Sequence, residues 1–294
     1  MWRETVRRGL PGQVTEPLSP GLRRVWDLRR VLWSGHTGFQ DVLVAETAHG
    51  VTLFCDSERQ SAEATQLAYH EALLVPALLL AERRRDVLVL GSSEGVVSEL
   101  AVAAGASRVD HVDIDTECVR MCARLLPYGY SAAALEDAER GRGAVRVHYA
   151  DGWAFVEDAA RGGRRYDVVV IDLPDERPDE PDAQHNRLYG TGFLRRAAGL
   201  LAPGGVLVGQ AGCATLWRND TLLRSLERFA SVFPTVLHYG SDEHEWSFLT
   251  GAADPVDDPA RRAVERLPAL PYRPHTLDAD ALRRGSVPPR SARR

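Results

Sequence analysis

The sequence predicts an α/β protein: a doubly wound, mostly parallel Rossmann-like sheet preceded by a small N-terminal antiparallel β domain. Three observations predict it. Short, almost wholly apolar runs such as Asp86-Val87-Leu88-Val89-Leu90 alternate with helical stretches at the spacing of βα units, as strands buried on both faces do. The first of these runs enters a glycine-flanked turn, Gly91-Ser92-Ser93-Glu94-Gly95, that opens an amphipathic helix. Upstream, residues 24–54 alternate brief β-rich runs with turn residues instead.

In chain order, Val31-Leu32-Trp33, Val42-Leu43-Val44 and Val51-Thr52-Leu53-Phe54 read as the strands of the small sheet, separated by Ser34-Gly35-His36-Thr37-Gly38 and His49-Gly50. Residues 62–81 read as helix. The parallel strands follow at 86–90, 108–115, 145–149, 166–171 and 205–209, with helices at 96–104, 117–126, 152–160, 192–201 and 222–233 between them. Residues 235–239 and 246–250 read as a closing pair. The domain expectation is an N-terminal extension (1–19), a small β domain (20–72), a Rossmann-like nucleoside-binding catalytic domain (73–253) and a C-terminal arm (254–294). That arm is rich in Arg and Pro and reads as one short helix near 260–266 in an otherwise frayed tail.

Composition narrows the chemistry. The 294 residues carry 36 basic and 41 acidic side chains, a net charge of −5, so the basic excess of nucleic-acid binders is missing and no nucleic-acid partner is expected. All 36 basic residues are arginine. With no lysine, Schiff-base chemistry, a pyridoxal-phosphate lysine and a Walker-type phosphate loop are excluded. Cys55, Cys118, Cys122 and Cys213 show no metal-ligand spacing, so no metal is expected, and Cys118 with Cys122 at i,i+4 read as two buried thiols. The apolar run at 72–81 is too short for a bilayer, which takes about 20 residues. The first residues lack the apolar core of a signal peptide, so the expectation is a cytoplasmic protein with no membrane partner.

In open α/β sheets ligands bind beyond the carboxyl ends of the strands. Acidic residues recur there: Glu94, Asp113 with Asp115, Asp151, and Asp172 with Asp175. A single acid at such a place is ordinarily a helix cap, but four strand ends in one row favour a cationic ligand. Asp113 lies 22 residues beyond Gly91, the distance at which such folds set a carboxylate on a ribose, yet the turn departs from GxGxxG. A nucleoside without a pyrophosphate, carrying a cation, fits best: an adenosyl sulfonium compound.

From Gly38 to Thr250 the chain resembles the spermidine synthases (polyamine aminopropyltransferases), whose sheet is of the methyltransferase type. The resemblance is carried by ordered motifs: Gly38-Phe39-Gln40-Asp41, Leu53 to Ser61, Tyr69-His70-Glu71, Asp86 to Glu99, Asp113-Ile114-Asp115, Asp151-Gly152, Asp172-Leu173-Pro174-Asp175, Leu188-Tyr189 with Phe193, and Gly204-Gly205-Val206 with Gln210. It implies decarboxylated S-adenosylmethionine as co-substrate. Gln40 and Asp113 would hold the ribose side, Asp151 and Gly152 the adenine amino group, and Gly91 the turn around the nucleoside. Glu94 would bind the aminopropyl ammonium, replacing a family aspartate. Asp172, helped by Tyr69, would orient and deprotonate the attacking amine, while Gln60, His70, Asp175 and Gln210 would line the acceptor channel. The family's usual dimer is implied too.

Two departures stand out: the turn is Gly-Ser-Ser-Glu-Gly-Val where the family has further glycines and an aspartate, and Thr65-Gln66 replaces an acidic pair. The Asp-Leu-Pro-Asp loop and Glu245-Trp246-Ser247-Phe248 look like a bacterial branch of the family. The leading expectation is aminopropyl transfer to an amine such as putrescine. Its rivals are a methyltransferase using S-adenosylmethionine itself and a non-catalytic descendant that binds nucleoside or polyamine.

Overall fold

A computed structural model of the chain describes residues 12–177, 180, 183–216, 218–241 and 243–293. The first eleven residues of the expected extension and the last of the expected arm lie outside the described residues. Strands β1 (Gln13–Ser19) and β2 (Leu22–Asp27) form an antiparallel hairpin. Strands β3 (Arg30–His36), β4 (Asp41–Thr47), β5 (Gly50–Cys55) and β6 (Glu58–Ala62) form a four-stranded antiparallel sheet in sequential order. The reading of 20–72 anticipated β3, β4 and β5 but not β6, whose Glu-Arg-Gln-Ser sequence carries no apolar alternation.

Helix α1 (Gln66–Leu80) leads into the main sheet, and the expected boundary at residue 72 falls inside this continuous helix. The sheet's strands are β7 (Asp86–Gly91), β8 (Arg108–Asp113), β9 (Val145–Tyr149), β10 (Tyr166–Asp172), β11 (Leu201–Cys213), β12 (Thr235–Gly240) and β13 (Trp246–Ala252). Their spatial order is β12-β13-β11-β10-β7-β8-β9. The ladders β10–β11, β10–β7, β7–β8 and β8–β9 are parallel, and β13 lies antiparallel between β11 and β12. The chain winds from β7 outward through β8 and β9, then returns to place β10 on the other side of β7. That reversal makes the β7/β10 crevice the topological switch point, where Gly91 pairs with Asp172.

Helices α2 (Val96–Ala103), α3 (Thr116–Leu125), α4 (Ala132–Glu139), α5 (Gly152–Arg161), α6 (Thr191–Ala198) and α7 (Asp220–Ala230) complete the domain. Side-chain alternation sorts the strands onto two cores. Val87, Val89, Val168 and Val170 meet Leu73, Leu74 and Leu78 of α1 on one face. Leu88, Leu90, Val169 and Ile171 meet Val156, Phe193 and Phe229 on the other. Each such fully buried side chain contributes about 1.5–3 kcal/mol of transfer free energy, which is why these apolar runs have no alternative to a sheet covered on both sides. Cys118 and Cys122 are free and buried, packed with Cys55 under the small sheet.

Two expectations are corrected. Residues 13–19 of the extension are strand β1, held by Val14 and Trp26 against Phe54 of β5. The C-terminal arm is not frayed: α8 (Pro259–Arg266), α9 (Ala279–Gly285) and the segment between them bury Ala263, Leu282, and Leu270 and Leu277, respectively, in the α1 core. Glu71 of α1, fully buried, accepts hydrogen bonds from the Tyr272 hydroxyl (2.5 Å), the His275 and Thr276 amides (2.8 and 2.7 Å) and the Thr276 hydroxyl (2.6 Å). The Glu of the Tyr-His-Glu segment therefore clamps the arm to the domain. No helix among the described residues is long and apolar enough to cross a membrane.

Candidate active site

A cavity of about 300 Å³ opens at the switch point. Its floor is the turn after β7, where Gly91 sits at φ +83° and a Cβ would lie 2.1 Å from the Asp172 carbonyl oxygen, so only glycine fits. Ser92 follows at φ +64°, an uncommon conformation for a residue with a side chain, and its buried hydroxyl lies beside the Asp172 carboxylate, whose charged form it favours. Buried His111 of β8 fixes this turn from below: Nε2 lies 2.8 Å from the Gly91 carbonyl and Nδ1 2.9 Å from the Tyr130 hydroxyl. Burial lowers the imidazole to about 4, so the ring is neutral; Nε2–H donates to Gly91 and Nδ1 accepts from Tyr130. Sequence reading had no signal for His111 beyond a polar residue inside an apolar strand.

At the end of β10, Asp172 is 9% exposed and accepts a 2.8 Å hydrogen bond from the Tyr69 phenol. His70 Nε2 stands 4.0 Å from the other Asp172 oxygen. Burial raises the Asp172 carboxyl above the ordinary carboxylate range, with nearby Glu94 adding to the effect while His70 and the Tyr69 hydrogen bond oppose it. Tyr69 is held edge-on by the rings of His70, Trp246 and Phe248, with centroids 5.2, 6.0 and 5.0 Å away. Its phenol cannot swing away without unpacking them. Glu94 is 7% exposed, lines the cavity, and has no arginine partner among the described residues.

At the end of β8, Asp113 accepts from the Ser93 hydroxyl and the Asp115 amide, both at 2.8 Å. Burial pushes its carboxyl up to about 7 despite those two hydrogen bonds. Gln40 reaches the same cavity, but its amide donates to Asp115 at 3.0 Å, beside the Thr37 hydroxyl at 2.5 Å, and not to Asp113. Asp151 and Gly152 line the cavity where α5 begins. One Asp151 oxygen caps α5 through the Ala154 amide at 2.9 Å, and the other is held by Arg187 and by Gln184 at 3.2 Å. Arg187 was not foreseen.

A second cavity of about 30 Å³ adjoins the first, sharing Gln60, Tyr69, Leu173 and Pro174 with it, and is also lined by Asp175 and Gln210. His70 lines the larger cavity instead. Asp175 is not free in this arrangement: Arg218 donates to one oxygen at 2.8 Å and the Gln210 amide to the other. No group of three or more His, Cys, Asp or Glu side chains that could hold a metal ion occurs among the described residues.

A two-sided α/β sheet with a nucleoside-sized cavity at its switch point, ringed by carboxylates and one buried Tyr–Asp pair, defines a class of enzymes acting on cationic nucleosides. Residues 66–240 match the spermine/spermidine synthase domain model. The chain is 32% identical over 262 residues to polyamine aminopropyltransferase 2 of Hyperthermus butylicus (87% of this chain, 81% of the relative). It is 33% identical over 291 residues to polyamine aminopropyltransferase 2 of Pseudomonas aeruginosa (95% and 79%). This protein belongs to the spermine/spermidine synthase family. Its fold matches a crystal structure of spermidine synthase in complex with the transition-state analogue AdoDATO, with a TM-score of 0.80 at 17% identity over 98% of this chain and 96% of that one. The spermidine synthase of Thermotoga maritima gives a TM-score of 0.77 at 16% identity, over 98% and 95%.

Proposed function

We propose that the chain is an aminopropyltransferase that moves the aminopropyl group of decarboxylated S-adenosylmethionine to a primary amine such as putrescine. The observation that carries this is the pair of nearly buried carboxylates, Glu94 and Asp172, that face one cavity without an arginine on either. Among the described residues Glu94 has no cationic side chain beside it and Asp172 only the His70 ring, and a carboxylate kept out of water this way is favoured when a ligand supplies a cation. Family membership points the same way.

In this reading Glu94 meets the ammonium of the aminopropyl group, Asp113 and Gln40 face the ribose side, and Asp151 with Gly152 border the adenine. Gly91 lets the turn approach the nucleoside. The acceptor arrives as an ammonium and hands one proton to Asp172, while Tyr69 holds the other side of that carboxylate. The freed nitrogen lone pair attacks the propyl carbon next to the sulfonium. The new C–N bond forms as the C–S bond breaks, its electron pair neutralises the sulfur, and methylthioadenosine leaves with the acceptor nitrogen now a secondary ammonium. Gln60, Asp175 and Gln210 border the acceptor's path, with His70 beside Asp172. We assign the protein to the cytoplasm as a homodimer, the open edge of β3 offering a contact surface, and light scattering would check the assembly.

The test is product analysis by mass spectrometry after incubation with each sulfonium donor and a panel of amines. Methylthioadenosine from the decarboxylated donor is expected. Glu94 would repel the carboxylate of intact S-adenosylmethionine, so S-adenosylhomocysteine from the intact donor would sink the reading in favour of methyl transfer.

A further inference from the structure

The two sides of the site treat charge differently. Where donor and acceptor would react, Glu94 and Asp172 carry no arginine. On the acceptor side every described carboxylate near the smaller cavity has one. Asp175 is bonded to Arg218 at 2.8 Å. Glu58 lies 3.6 Å from Arg177. Glu245 is held by Arg24 at 2.9 Å, and Glu16 by Arg24 at 3.5 Å and by the Trp26 indole N–H at 2.7 Å. A diamine would bring a second ammonium to this region, where each of these carboxylates already faces an arginine and only that of Glu58 accepts no hydrogen bond among the described residues.

The arginines also leave donors unused. Nη1 of Arg218 and Nε of Arg59 are buried without a hydrogen-bond partner, and both side chains line the 30 Å³ cavity. An orphaned buried N–H is costly, and it is relieved by an acceptor atom such as a hydroxyl, ether or amide oxygen, not by an ammonium, which has none to offer. A space of this size holds one small polar group. Asp175, Glu58 and Glu16 border the same cavity beside Arg59 and Arg218, a near balance that calls for neither a full negative nor a full positive charge there.

We infer that Arg218 occupies the place of the acceptor's second cation on Asp175, so that this enzyme takes primary amines whose far end is uncharged and accepts hydrogen bonds, in preference to α,ω-diamines. The inference rests on the aminopropyl-transfer reading and narrows its acceptor. Arg218 is then a specificity-determining residue: it repels a distal ammonium and donates to a distal oxygen, while the reacting nitrogen at Asp172 sees the same chemistry in either case.

The experiment compares 4-aminobutan-1-ol, putrescine and 4-aminobutanoate as acceptors with decarboxylated S-adenosylmethionine, following methylthioadenosine, for the wild type, Arg218→Met and Arg218→Gln. The wild type is expected to favour the amino alcohol over the diamine by about tenfold or more in kcat/KM, and Arg218→Met to reverse that order mainly through KM. Calorimetric donor affinity close to wild type certifies that a variant is folded. A wild type that favours putrescine overturns the inference whatever the variants do, and so does an acceptor ratio that neither variant moves. Preference for 4-aminobutanoate overturns the uncharged far end. Methylthioadenosine from none of the three acceptors, nor from the wider amine panel, overturns the transfer reading itself, and the inference with it.

Discussion

The Tyr69 phenol donates to the Asp172 carboxylate at 2.8 Å from a helix 103 residues upstream, and three aromatic rings keep it there. The carboxylate is thereby oriented before any amine arrives. If Asp172 is the base, Asp172→Asn keeps the shape and the nucleoside contacts but leaves the amine protonated. Turnover is expected to fall by about 10²–10⁴ with donor affinity unchanged. Tyr69→Phe is expected to lose less, because orientation suffers while the base remains. Steady-state kinetics with calorimetric donor titration separates the two, and near-normal kcat in Asp172→Asn would move the base elsewhere.

Asp113 predicts a pH signature. Unfolded, it titrates in the ordinary carboxylate range, whereas in the fold burial holds it to about 7. Between those values the folded state binds the extra proton, so the stability Asp113 contributes is full at acidic pH and is lost as pH rises through about 7. Asp113→Asn cannot ionise. Its Tm relative to wild type should therefore climb between about pH 4 and about pH 7, and a flat difference would contradict the shift. Donor affinity of the wild type should rise over the same range, since the ionised form is the one that accepts from ribose hydroxyls.

Ser92 combines a left-handed backbone with a buried hydroxyl beside the Asp172 carboxylate. Ser92→Gly relieves the backbone and is expected to stabilise the protein by about 1 kcal/mol, in line with the cost of φ > 0 for a residue with a Cβ. Urea unfolding at constant m-value measures it. Destabilisation would mean that the hydroxyl contributes more than the backbone conformation costs.

Replacing Glu71 by Ala strands the Tyr272 hydroxyl, two backbone amides and the Thr276 hydroxyl. Hydrogen bonds to a charged group contribute about 1.5–3 kcal/mol each and are not additive, so a loss of at least about 3 kcal/mol is expected. Limited proteolysis should then cut first between α8 and α9. An arm that stays resistant would show the apolar contacts of Ala263 and Leu282 to be sufficient.

Strands β7, β9 and β10 were legible nearly to the residue, because a run such as Val168-Val169-Val170-Ile171 has no other way to bury both of its faces. The acidic strand ends were legible for the same reason: topology brings them together whatever the loops do. What escaped were pairings between loops. Nothing local ties Arg218 to Asp175, 43 residues away, or Arg187 to Asp151, and in a chain whose every basic residue is arginine no single one stands out. The arm misled because its apolar residues are isolated among Arg and Pro, so no periodicity reveals that each fills a separate notch of the core.

Tyr69 and Glu71 sit two residues apart on α1 and point to opposite concerns, one to Asp172 and the other to residues 272–276. During synthesis the helix leaves the ribosome with Glu71 bare, and its hydrogen-bond partners follow some 200 residues later. Until they dock, the buried Glu71 lacks the donors that hold it in the finished fold, although the leucines of the same helix already have the sheet to pack against. The helix that carries the Tyr69 phenol thus gains its full set of polar partners only once the arm is made, from a segment that lines neither cavity of the site.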